Sequence, residues 1–227
     1  MEEKNKTDLQ ERYPEQRQEE LGLKSKMIPV PDDGSQTCIG SNRLKGQKIR
    51  LILGDLREEE FSKKLIEGAV KLFGDPTTLV LIAGKQQTEV DIRNLSTEQM
   101  VDIYKTNVFS LIWLVKAALP YLHESSNIIT ANYIQADQPS SFLVDYAKTK
   151  ATIKNMTHSL TIQLAPEGIR VNSVVAPGLI WTPLQAVRGQ PKKNIPSFVR
   201  LLYSSAPDNF QNWQELTFLL HQMTQPI

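Results

Sequence analysis

Tyr146 and Lys150 stand four residues apart in a stretch whose apolar residues recur with a helical period, so their side chains share one helix face, one turn apart. An ammonium group so placed can stabilise a phenolate and lower the phenol pKa from about 10, which would let the pair move a proton. A surface tyrosine beside a solvated lysine has the same spacing, so the surrounding elements must decide between the two readings.

Those elements alternate aliphatic runs with longer amphipathic segments, the pattern of parallel β/α units. Ile49–Leu53 reads as a strand ended by Gly54, followed by a helix over Arg57–Phe73 with Phe61, Leu65, Ala69, Leu72 and Phe73 on one stripe. Gly74-Asp75-Pro76 stops that helix, and Thr78–Ala83 reads as a second strand. Ser96 is placed as an N-cap with Gln99 completing a capping box and Leu95 and Met100 a hydrophobic staple, for a helix reaching about Leu122. Asn127–Thr130 is the third strand, and a loop then leads to the helix Leu143–Leu164 that carries the pair. Pro166-Glu167-Gly168 closes this helix, and Ile169–Ala176 is the fourth strand, ended by Pro177-Gly178. Further helices are expected near Ile195–Tyr203 and Trp213–Met223. Residues 1–48 are polar and turn-rich without apolar period and read as an extended, mostly disordered tail, leaving 49–227 as the folded domain.

Composition narrows the function classes. The 227 residues suffice for one domain, and a formal charge of +1 gives no electrostatic argument for nucleic acid or an anionic membrane. The single cysteine, Cys38, suits a reducing, cytoplasmic setting, and the acidic start Met1-Glu2-Glu3-Lys4 is unlike a targeting peptide. The most apolar stretch, Asn107–Leu122, is broken by Lys116 and Pro120 and reads as a buried helix rather than a membrane span. His123, His158 and His221 lack metal-ligand spacing, so no metal site is expected.

With these pieces in order, the sequence resembles the short-chain dehydrogenase/reductase family. Tyr146-Ala147-Lys148-Thr149-Lys150 matches its YxxxK, Gly54-Asp55-Leu56 follows a strand as in the family, and Ala83-Gly84 ends its NNAG. Lys105-Thr106-Asn107 lies on the middle helix, and Arg170-Val171-Asn172 leads to Pro177-Gly178. Tyr13-Pro14-Glu15-Gln16, Leu44-Lys45-Gly46, Gln135-Ala136 and Trp181-Thr182-Pro183-Leu184 look like a bacterial subgroup with a Pro-rich N-terminal extension, described as general stress or glucose-dehydrogenase-like proteins. The resemblance implies a Rossmann-like α/β fold with a doubly wound parallel sheet, and hydride transfer between NAD or NADP and a small carbonyl or alcohol. It makes Tyr146 the general acid or base, Lys150 its partner and a holder of the nicotinamide ribose, and Asn107 the anchor of a relay water. Asp55 and Leu56 would flank adenine, Ala83 and Gly84 would admit the cofactor to the backbone, and Pro177, Gly178 and Thr182 would meet the nicotinamide end. It also implies a homo-oligomer, or association with an intact relative, through the two long helices.

Four departures accompany it. The TGxxxGxG turn is absent: Leu44-Lys45-Gly46 passes directly to a run resembling the family's third strand, so the first two strands and their helices lack a counterpart. The first strand-to-helix turn carries Asp55, Glu58, Glu59 and Glu60, which repel a diphosphate. Tyr133 occupies the position of the catalytic serine, and no edge strand follows Trp213–Met223. The expectation is therefore a partial sheet of about four strands, with Ile49–Leu53 free to move beside Thr78–Ala83. The alternative function is a non-catalytic, degenerate or deletion form that keeps the subunit-packing helices.

Overall fold

Short β-branched and aliphatic runs, separated by segments long enough to cross over as helices, pair here as parallel strands. The computed structural model describes residues 16–19, 23–28, 30, 50–176, 182, 184–189 and 191. Within them the order is α1 (Glu59–Phe73), β1 (Thr78–Leu81), α2 (Thr97–Tyr104), a π-helical turn (Lys105–Phe109), α3 (Ser110–Ala118), β2 (Asn127–Tyr133), α4 (Val144–Leu164) and β3 (Arg170–Ala176). The sheet has three strands in the order β1-β2-β3, and β2 pairs with β3 along its whole length, from Asn127 opposite Arg170 to Tyr133 opposite Ala176.

The core lies between the sheet and the helices. Ile128 of β2 is fully buried, and Leu81, Ile66, Leu114, Val115, Ile153 and Val171 surround it in one cluster. Gly168 turns the chain between α4 and β3 at φ +70°, where a Cβ would also stand 2.7 Å from the Glu124 side chain.

Several expected elements differ in detail. The helix after Ser96 does not run unbroken to Leu122: a π turn interrupts it at Lys105–Phe109, and a 3₁₀ turn at Leu119–Tyr121 ends it. Ser96 caps it, its hydroxyl accepting from the Gln99 amide at 3.1 Å, but the Gln99 side chain turns to Asp145 instead of closing the box. On α1 the inward positions are Ser62 and Ile66, while Leu72 and Phe73 are exposed.

The larger correction concerns Ile49–Leu53. Its described residues, Arg50–Leu53, form no strand and do not pair with β1, so the sheet has three strands rather than about four. Leu51 and Leu53 stand 84% and 95% exposed. In a doubly wound sheet of order 3-2-1-4 a third strand hydrogen-bonds to the second, and a run without that neighbour has no ladder to join. The face of β1 that carries Val80 and Ile82 is likewise half open, at 42% and 54% exposure. The segments expected as helices near Ile195–Tyr203 and Trp213–Met223 lie outside the described residues.

Exposed aliphatic residues beside an unpaired strand edge promote association. Leu53→Lys and Ile82→Lys should each leave stability within about 0.5 kcal/mol by urea unfolding. Both should raise the protein concentration at which light scattering first appears.

Candidate active site

At the carboxyl ends of β1 and β2, the π turn sets Asn107 inward, with 1% of its surface exposed. Such a turn widens the helix by one backbone step and commonly marks a functional position. Asn107 Oδ1 accepts from the Lys85 amide at 2.6 Å, and its Nδ2 donates to the Lys85 carbonyl at 2.9 Å and to Thr149 Oγ1 at 3.0 Å. One side chain thus ties the loop after β1, the α2–α3 helix and α4 together.

Helix α4 brings Tyr146 and Lys150 to the same place, both nearly buried. Lys150 Nζ donates to the Ala131 carbonyl of β2 at 3.0 Å and lies 5.6 Å from the centre of the Tyr146 ring. Tyr133 ends β2 with its ring edge-on to Tyr146, centroids 6.3 Å apart. The expected lowering of the Tyr146 pKa is not found. Burial pushes its phenol well above the ordinary value, and the neighbouring Tyr133 adds to the rise. Burial also pushes Tyr133 up to about 12 and lowers Lys150 to about 8. At neutral pH both phenols hold their protons, and Lys150 is the group poised to titrate.

The remaining expected positions divide. Ala83 and Gly84 are exposed just beyond β1, and a Cβ on Gly84 would sit 3.7 Å from Asn107 Oδ1 and 3.9 Å from Lys150 Nζ, so this backbone lies against the site. Leu56 packs against the core cluster. Asp55 is held by Arg57 through three side-chain hydrogen bonds of 2.6–3.0 Å, which lower its pKa to about 2. Thr182 is half-buried and accepts the Gln185 amide at 2.9 Å through its carbonyl. Pro177 and Gly178 lie outside the described residues.

Sequence reasoning missed an ion network beside the site. Asp102 Oδ1 accepts from Arg57 at 2.7 Å and its Oδ2 from Lys85 at 2.6 Å, joining the Asp55 turn to the loop that Asn107 clamps. Burial opposes ionisation of Asp102, but the hydrogen bonds from Lys85 and Arg57 outweigh it and its pKa is lowered. Only the Asp55-x-Arg57 spacing signalled any of this, as a local Asx turn. A second missed group is Asp145, which accepts from the Tyr146 amide at 2.7 Å and from Gln99 Nε2 at 2.8 Å and so fixes the start of α4. Among the described residues no group of three or more His, Cys, Asp or Glu could hold a metal.

A model of the family described as enoyl-(acyl carrier protein) reductase matches residues 32–201. The chain belongs to the short-chain dehydrogenase/reductase family. It is 39% identical to the uncharacterized oxidoreductase YhxD of Bacillus subtilis, covering 85% of this chain and 81% of that one. General stress protein 39 of the same organism is 41% identical over 62% of this chain, which spans about half of its length (49%). An NADPH-bound short-chain oxidoreductase of Pseudomonas aeruginosa with an atypical catalytic center has TM-score 0.53 and 26% identity over 56% of this chain and 50% of its own. No described helix is long and apolar enough to cross a membrane. The YhxD alignment runs over 243 positions, more than the 227 residues of the whole chain. Given its 85% coverage, roughly 50 of those positions have no residue here, room for a strand–helix–strand unit of about 30 residues and more.

A nicotinamide dinucleotide can be tested against these residues at both ends. Lys150, with one acceptor for its three donors, and the open backbone of Gly84 fit the nicotinamide ribose. The diphosphate end does not fit. Gly54, the glycine of the first described strand-to-helix turn, has its Cβ position filled by the Phe61 ring at 1.9 Å, and Glu58, Glu59 and Glu60 follow it.

Because the folded Lys150 binds its proton less tightly than an unfolded lysine at 10.5, the unfolded chain holds more protons between about pH 8 and 10.5. Stability from this residue therefore rises across that window. Urea unfolding of the parent and of Lys150→Met should show the difference moving in the parent's favour by about 1–2 kcal/mol from pH 7 to pH 10.

Proposed function

We propose that the chain is a nicotinamide-dependent oxidoreductase acting on a small carbonyl or alcohol, with Tyr146 transferring the proton. The observation that carries this reading is the joint burial of Tyr146, Lys150 and Asn107 at the carboxyl ends of β1 and β2, cross-tied by the Asn107–Lys85 and Lys150–Ala131 hydrogen bonds. Ligand crevices of open α/β sheets lie at such strand ends.

When bound, the reduced nicotinamide supplies hydride to the carbonyl carbon. The oxygen then gains a proton, and a phenol held neutral by burial is suited to give it. This favours reduction over oxidation at neutral pH. Lys150 restores charge balance around the phenolate as it forms, and Asn107 keeps the loop of Gly84 against the site. Tyr133 walls the substrate side in the position of the family's serine. The grip on the diphosphate is not part of this reading, since the described turn at Gly54 does not offer one. Phe109, Ile112 and Ile162, exposed on the π turn, α3 and α4, are the surface through which copies would associate.

The test is titration with NADH and with NADPH, following nicotinamide fluorescence, and then turnover of a panel of aldehydes and ketones. Tyr146→Phe should lower turnover about 10²- to 10⁴-fold while leaving the fluorescence titration unchanged. No fluorescence change with either cofactor at millimolar concentration would overturn the reading.

A further inference from the structure

Replacing the family's serine by Tyr133 leaves the question of which group donates the second hydrogen bond to a substrate oxygen. The neighbouring side chain, Asn132, is 4% exposed, and its Nδ2 is a buried donor without a hydrogen-bond partner. Its Oδ1 accepts from the Tyr133 amide at 2.8 Å, so the side-chain amide is held against the backbone at the carboxyl end of β2. The carbonyl on its other side, Ala131, is the one held by Lys150. Asn132 is thus bracketed by residues that touch the Tyr146–Lys150 pair.

Its direction follows from strand geometry. Side chains alternate along a strand, so Asn132 shares a face with Thr130, whose hydroxyl meets that of Thr157 on α4 at 2.9 Å. Two residues further along β2 is about 6.7 Å. Because α4 returns antiparallel between two parallel strands, that distance is about 4.5 residues of helix, which sets Asn132 opposite the turn that begins at Lys150. Leaving an amide donor unmade in such a place costs about 1–3 kcal/mol, a cost recovered when an acceptor arrives.

We propose that Asn132 Nδ2 is the donor that binds the carbonyl or hydroxyl oxygen of the substrate, in the role left open by Tyr133. The inference rests on the proposed oxidoreductase reading, and its ligand is an oxygen acceptor small enough to pass Tyr133 and Tyr146.

The test uses cyclohexanol as a probe that binds without reacting in the absence of a dinucleotide. In a ¹⁵N-labelled full chain, the Asn132 side-chain amide pair is assigned by its loss in Asn132→Ala. Titration should shift that pair together with the Tyr146 ring signals, and Asn132→Ala should weaken binding about five- to tenfold with the fold kept by circular dichroism. In a Tyr133→Ser background, which returns a hydroxyl, the same substitution should cost less than twofold. Ring signals of Tyr146 that shift while the Asn132 pair stays still would overturn this inference alone. Silence in both sets would overturn the oxidoreductase reading along with it.

Discussion

The Asn107 carboxamide is the contact on which the site depends. Beyond Leu81 the β1 ladder has ended, and the backbone of Lys85 has neither strand partner nor helix to satisfy it. Asn107 supplies both missing bonds at once, acting as a short piece of β-strand projected from a helix. To reach that far it needs the π turn, because the wider loop of backbone moves its Cα inward. Thr149 then receives the remaining amide hydrogen and bonds back to the Tyr146 carbonyl at 2.7 Å. The positions of Gly84 and Tyr146 are in this way coupled through one side chain.

Around this clamp the protein keeps groups that a purely structural core would not tolerate. Lys150 is a nearly buried ammonium with a single carbonyl acceptor, and Asn132 holds an unpaired amide. Unpaired buried donors destabilise a fold, so their retention beside two neutral phenols marks a site arranged for an acceptor rather than for packing. The Asp55–Arg57–Asp102–Lys85 network is different in kind. It is half exposed, internally neutralised and saturated, and it braces the loop from outside without offering a free charge to a ligand.

The fold was legible where local pattern and tertiary environment agree. The extents of α4 and β3 follow from their periodicity and stop residues to within a residue, and Ser96 caps as its type and place require. The Tyr146–Lys150 pair was legible because a covalent spacing fixes it to one helix face. What could not be read depends on contacts between distant segments. The π turn leaves no mark in hydrophobic period, since Ile103, Val108 and Leu111 continue the apolar face through it. The Tyr146 pKa was misjudged because spacing reports the nearby ammonium but not the burial that outweighs it. Asp102 and Lys85 are 17 residues apart and meet only through the loop geometry.

Ile49–Leu53 shows why apolar character alone did not make a strand. Its composition is that of a buried parallel strand, yet its described residues are among the most exposed aliphatics of the protein. Strand formation requires a partner for each N–H and C=O, and the roughly 50 YhxD positions lacking here are enough for the unit that would provide one. The same gap accounts for the open face of β1 and for the poor fit of a diphosphate. In a doubly wound sheet the strand beside β1 and the glycine turn at its end belong to one βα unit. Edge and phosphate grip therefore go together, whereas the proton-transfer residues, held by β2, α4 and the Asn107 clamp, draw none of their contacts from it.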